Sequence, residues 1–154
     1  GVIPMQIAKL LDQIMKMADK KKADQKLGEI ADIIYFGGLD SSELKQVLQK
    51  MIGYLAKEKD QVVRETLLNT ILEAIVKYDV GEALTYDEII PILDKFNEEE
   101  LGYALDILGF SRDDNYLPVL SKYLQHPVKE IRETAADAIE EIEYHNWLLY
   151  SQRN

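Results

Sequence analysis

The sequence predicts an all-α protein built as a stack of about four antiparallel helix pairs, and three observations carry that expectation. Apolar residues recur at helical spacing almost throughout the 154 residues, with no convincing strand alternation. Short breaks rich in Gly, Asp and Asn punctuate these segments. Finally, "EKDQVVRETLLNTILEA" at 58–74 returns in outline as "HPVKEIRETAADAIEEI" at 126–142. A shift of 68 residues lays Val63-Arg64-Glu65-Thr66 on Ile131-Arg132-Glu133-Thr134, Leu67 on Ala135 and Ile71 on Ile139. A helix written twice signals a repeat, in which each pair has more apolar surface than it can bury alone and stacking completes the core.

Eight helices are expected. The first covers about 4–19, with Ile7, Leu10, Leu11, Ile14 and Met17 on one face and Pro4 suited to its first turn. The second covers about 24–36 on Leu27, Ile30, Ile33 and Ile34, and "GGLD" ends it. Asp40 with Glu43 starts a third helix to about 57, and Asp60 caps a fourth to about 78. After "VGEALT", Thr85 with Glu88 and Asn97 with Glu100 start helices five and six. "GFSRDDN" separates six from seven, and Asp113-Asp114 reads as a helix start. Helix eight begins near Pro127, with His126 as a cap or turn residue, and reaches at least Ile142. Residues 86–109 support the repeat: Ala104 and Leu108 take the places of Ala135 and Ile139, and "IIPIL" at 89–93 resembles "YLPVL" at 116–120.

His126-Pro127, Ile131-Arg132, Ala135 and Ala138-Ile139 resemble the second helix of a HEAT repeat, with its Asp or Pro turn, aliphatic-Arg pair and small and aliphatic residues at helical spacing. Asp60, Val63-Arg64, Leu67 and Ile71 show the pattern again. The tetratricopeptide signature of Trp, Gly and Tyr does not appear in register. The resemblance implies a HEAT-like α-solenoid in one domain over 1–154: a generic hairpin at 1–40, HEAT-like pairs at 41–143 and a C-terminal extension at 144–154. It also implies that Arg64 and Arg132 brace neighbouring repeats, and that the second helices line a concave face.

Composition narrows the classes of function. The net charge of −10 is uneven: residues 1–77 carry 12 Lys/Arg and 11 Asp/Glu, residues 78–154 carry 6 and 17. Such a second half repels phosphate backbones, and the one basic run, Lys20-Lys21-Lys22 with Lys26, is diluted by Asp19 and Asp24 and reads as a solvated loop or helix end. Neither nucleic acid nor membrane is an expected partner: no apolar run is long enough to span a bilayer, and Gly1 to Asp12 lacks a signal-peptide pattern. The absence of cysteine fits a reducing cytosol, so a cytoplasmic location is expected.

Val128, Ile131, Ala135, Ala138, Ile139 and Ile142 define the packed face of helix eight, which leaves Glu133, Asp137 and Glu141 in one uncompensated outward row, flanked by Glu130 and Glu140. The equivalent row of helix four is Glu65, Asn69 and Glu73. In helix six, Leu101, Ala104, Leu105 and Leu108 pack, leaving Glu99, Tyr103 and Asp106 outward. If the second helices line a concave side, these nine residues share one acidic surface for a basic protein. Tyr144, Trp147, Leu148 and Tyr150 read as a hydrophobic cap on the last repeat or as a partner anchor.

No enzyme is expected. His126 and His145 are the only histidines; His145 lies four residues after Glu141, but no metal-binding spacing surrounds it. Gly37-Gly38 lacks a phosphate-loop pattern, so no cofactor is expected. HEAT-like folds include DNA-alkylation glycosylases, which use a basic face, and bilin lyases. In size, charge and architecture the chain is instead similar to small acidic bacterial immunity proteins, which inhibit toxins by binding them, although no immunity-specific motif is visible. The expected function is a protein-binding module that holds or neutralises a basic partner such as a cationic nuclease toxin. The alternatives are a scaffold or assembly adaptor, or a lyase-type enzyme.

Overall fold

The computed structural model describes residues 6–153, so the expectation for Pro4 lies outside them. Among the described residues there are seven α-helices and no strand: α1 (Ile7–Met15), α2 (Lys20–Tyr35), α3 (Ser41–Leu55), α4 (Gln61–Tyr78), α5 (Glu98–Phe110), α6 (Leu117–Lys122) and α7 (Lys129–Arg153). A 3-10 segment, Asp87–Lys95, stands between α4 and α5, and short 3-10 turns flank α6.

Capping chemistry explains most of the helix starts. Asp40 accepts from the Glu43 backbone N–H at 2.8 Å, and Asp60 from that of Val63 at 3.0 Å. Asn97 and Glu100 close a full capping box at the head of α5. The second helix starts four residues before the expected position: Asp19 accepts from the Lys22 N–H, so the three lysines form the first turn of α2. Thr85 caps nothing, because its N–H and C=O are both held by the Gln49 side chain on α3, each at 2.9 Å. The expected fifth helix is the 3-10 segment. Pro91 lies inside it and has no N–H to give to an α-helical ladder. The expected seventh helix keeps only six α-helical residues.

Packing follows chain order. α1 packs on α3, α2 on α4, α4 on α5, and α5 on α7. Cross-helix bonds show the direction. Asp24 of α2 accepts from the Thr66 hydroxyl of α4, while near the other ends of these helices the Tyr78 hydroxyl donates to the Ile34 carbonyl at 2.6 Å. The two helices are therefore parallel. The hydroxyls of Tyr116 and Tyr123 donate to Asp87 and Asp94, both at 2.8 Å and both across 29 residues, so the segments around α6 and Asp87–Lys95 also run parallel. Successive pairs thus point the same way.

The written repeat is also a repeat of bonds. Arg64 Nη1 donates to the carbonyls of Glu58 and Lys59; 68 residues on, Arg132 Nη1 donates to those of His126 and Pro127. The Asp60 N–H donates to the Glu58 carboxylate and the Val128 N–H to His126 Nδ1, each at 3.1 Å. The two arginines then differ. Arg64 reaches across to Glu100 of α5 at 2.5 Å, whereas every hydrogen bond of the Arg132 side chain among the described residues goes to the turn preceding its own helix. The bracing expected of Arg132 does not appear among the described residues.

Ala104, Leu105, Leu108 and Ala135 have no exposed surface. α5 and α7 approach tightly at Gly109, where a Cβ would lie 2.8 Å from the Ala138 Cα and 2.9 Å from its Cβ. A methyl group there has nowhere to go. We expect Gly109→Ala to lower stability by about 1–3 kcal/mol through overpacking. Leu105→Asp and Ala135→Glu, which bury unpaired charge, should each cost several kcal/mol of a total of roughly 5–15. Thermal and urea unfolding read all three; near-wild-type melting of both charged variants would show that these faces are not the packed ones.

Candidate partner-binding surface

The nine outward residues of α4, α5 and α7 differ in environment. Asn69, Glu73, Glu99, Glu133 and Asp137 are exposed, and Glu65, Tyr103, Asp106 and Glu141 are half-buried. Glu65 accepts from Gln61 Nε2 at 3.2 Å, and Tyr103 packs against the core. Glu133 pairs with Lys129 at 3.7 Å on the same helix, an exposed contact worth little.

One of these acids, Asp106 of α5, is half-buried near enough to α7 to feel the charge of Asp137. Burial pushes the Asp106 carboxyl up to about 6, and the negative charge of Asp137 adds to the rise. Neither carboxylate has an ion pair among the described residues. A cation from outside would relieve that unfavourable electrostatics.

The row on α7 is compensated at one end. Arg112, in the loop after α5, gives Nε and Nη2 to Glu141, both at 3.2 Å, and Nη1 to Asp79 at 2.8 Å and Glu82 at 3.1 Å. Burial works against the guanidinium charge, but the bonds to Glu82 and Glu141 and the field of Asp79 outweigh it and raise its pKa. Arg112 and Asp79 both have φ of 51°, a left-handed conformation that is costly for a residue other than glycine. Two strained turns thus hold each other. His145 lies 3.5 Å from Glu82 rather than against Glu141, and Asn146 bonds Asp114.

The acids are therefore of two kinds. Glu141 fastens α7 to the preceding loops, while Glu133 and Asp137 remain open to solvent. No family model matches the chain, and no curated protein matches it. Among the described residues no group of three or more His, Asp or Glu is arranged to hold a metal ion, and no helix is long and apolar enough to cross a membrane. What the arrangement offers is carboxylate surface, suited to guanidinium and ammonium groups.

Arg112 was missed in the sequence because it sits in a segment read only as a separator. Its signal is a lone basic residue in "GFSRDDN", which means little until the carboxylates of Asp79, Glu82 and Glu141 converge on it. Residues 144–153 continue α7, and Tyr144 and Trp147 on it are more than half exposed.

The pH dependence follows from Asp106. Its folded-state pKa of about 6 lies above the ordinary 3.8, so the native state holds this proton more tightly than the unfolded chain. The resulting stability is fully present below about pH 4 and is lost as pH rises through about 6. We expect Asp106→Asn to raise stability at pH 7 by about 1–2 kcal/mol, after discounting for partial exposure, and to flatten the stability curve between about pH 4 and 6.5. Urea unfolding across that range checks it; an unchanged curve would place Asp106 in ordinary solvent.

Proposed function

We propose that this chain is a protein-binding module that holds a basic partner on the acidic face of α4, α5 and α7. The observation that carries the reading is the uncompensated carboxylate surface of α5 and α7: Asp106 is half-buried and Asp137 exposed, neither has an ion pair among the described residues, and burial together with the charge of Asp137 makes the Asp106 carboxylate costly in the free protein. A guanidinium or ammonium group from a partner would turn that cost into attraction. Exposed Glu73, Glu99 and Glu133 extend the negative field, which speeds encounter with a cationic surface.

A HEAT-like stack is the architecture this reading uses. The parallel packing of successive pairs and the matching bonds of Arg64 and Arg132 support it. In such a stack α4, α5 and α7 line one concave side, where a folded partner can touch all three helices. Within that class the role proposed is immunity: occlusion of a cationic toxin such as a nuclease, whose basic active-site face, built to bind phosphates, would be covered by these carboxylates. No catalytic role is assigned to the chain.

The test begins with the partner recovered by pull-down and mass spectrometry. Asp137→Lys and Glu133→Lys should each weaken its binding at least about tenfold with the fold intact, since surface changes usually alter stability by less than about 0.5 kcal/mol. Glu141→Lys is excluded from this set because Glu141 holds Arg112. Affinity should fall as salt rises and also as pH drops below about 6, where Asp106 takes up a proton. Lys21→Glu and Lys22→Glu, in the first turn of α2, should do much less. Equal, salt-insensitive binding by every variant would sink the acidic-face mechanism.

A further inference from the structure

We propose that the solvent-facing seam of α7 seats a cationic amphipathic helix of the partner, with Trp147 as its apolar anchor. This rests on the basic-partner reading above and names how that partner is gripped. α7 buries Ile131, Ala135, Ala138 and Ile142 against the body, and its opposite face is turned to solvent. On that face stand Glu133, Asp137, Glu140, Tyr144 and Trp147, all exposed. Their spacing is i, i+4, i+7, i+11, i+14. At 3.6 residues per turn these five fall within about 80° of one another.

Alternating steps of four and three are the register in which one helix meets another at every turn. A helix laid along α7 can meet all five positions, which span nearly four turns. The seam is also chemically divided. Its first three positions are carboxylates; Asp137 and Glu140 have no ion pair among the described residues, nor do the flanking Glu130 and Glu143. Its last two positions are aromatic, with Tyr144 57% and Trp147 58% exposed and their rings stacked at 6.0 Å and 23°. Exposed Trp and Tyr supply the large, rigid contact that dominates binding energy at interfaces. The complementary surface is a helix with Lys or Arg opposite the three acids and apolar side chains opposite Tyr144 and Trp147. A second copy of this chain is a poor match, because in either direction the seam brings no cation to Glu133, Asp137 and Glu140 in a protein of net charge −10.

Trp147 is the only tryptophan, so its emission reports directly on the seam. The probes are two synthetic helical peptides of about 21 residues, with lysine at three successive seam positions and leucine at the next two, written in opposite chain directions. A third peptide carries glutamate in place of lysine. We expect one lysine peptide to bind with a blue shift of Trp147 emission. In labelled-peptide anisotropy, Trp147→Ala and Asp137→Lys should each weaken that binding at least about tenfold, with helix content unchanged by circular dichroism. The glutamate peptide should not bind. If neither lysine peptide binds, the seam is not a helix-docking site. If one binds while Trp147 emission is unmoved and Trp147→Ala is neutral, the seam fails, and continued loss on Asp137→Lys leaves the basic-partner reading standing. Equal binding of the glutamate peptide overturns both. A dimer in sedimentation that Trp147→Ala dissolves assigns the seam to a second copy and overturns the proposal.

Discussion

A carboxylate with no exposed surface sets the register of the molecule. Glu100 closes the capping box at the head of α5 and at the same time accepts Arg64 Nε of α4 at 2.5 Å. Arg64 in turn ties down the carbonyls of the turn before α4, at Glu58 and Lys59. Three chain segments meet at one ion pair whose side chains are 19% and 1% exposed. Removing either member would strand the other, a loss of about 3–5 kcal/mol for pairs of this kind. Because Arg64 and Glu100 both stand at helix starts, the pair aligns the heads of α4 and α5, so these helices are parallel.

The remainder of the helix packing follows from that alignment. α7 lies parallel to α5, close enough at Gly109 that backbone nearly meets backbone. The same proximity brings Asp106 toward Asp137 and Arg112 toward Glu141, 31 and 29 residues apart in sequence. One contact is repulsive and the other attractive. The attractive one, with Asp79 and Glu82, locks the loops at the far ends of α4 and α5 onto α7. Structure and surface thereby divide the acidic residues between them. Glu58, Glu100 and Glu141 are held in bonds that shape the fold, and the exposed carboxylates of α7 remain available to another molecule.

Features that depend on a few adjacent residues were legible in sequence. The caps at Asp40, Asp60 and Asn97 are local hydrogen bonds between residues three apart, and each forms. The packed faces of α5 and α7 were legible because helical periodicity fixes which side is apolar. Thr85 misled for the opposite reason: its backbone is satisfied by Gln49, 36 residues away, a partner that no local pattern reveals. Pro91 was visible, but whether a proline kinks, ends or converts a helix depends on the packing around it. Here the chain becomes a 3-10 segment held to its neighbour through Asp87 and Asp94.

The outward row of acids shows the same boundary. Sequence alone determined that Glu133, Asp137 and Glu141 share a side of one helix, since 3.6 residues per turn leaves no other arrangement. It also determined the excess of negative charge in the second half and the repetition of the Arg64 helix at Arg132. Only the tertiary structure decided that Glu141 belongs to Arg112, that Asp106 is half-buried within the field of Asp137, and that Arg64 finds a buried partner on another helix where Arg132, among the described residues, bonds only to the turn before its own. Charge is a property of each residue, whereas compensation is a property of distance, and distances across helices are set by packing.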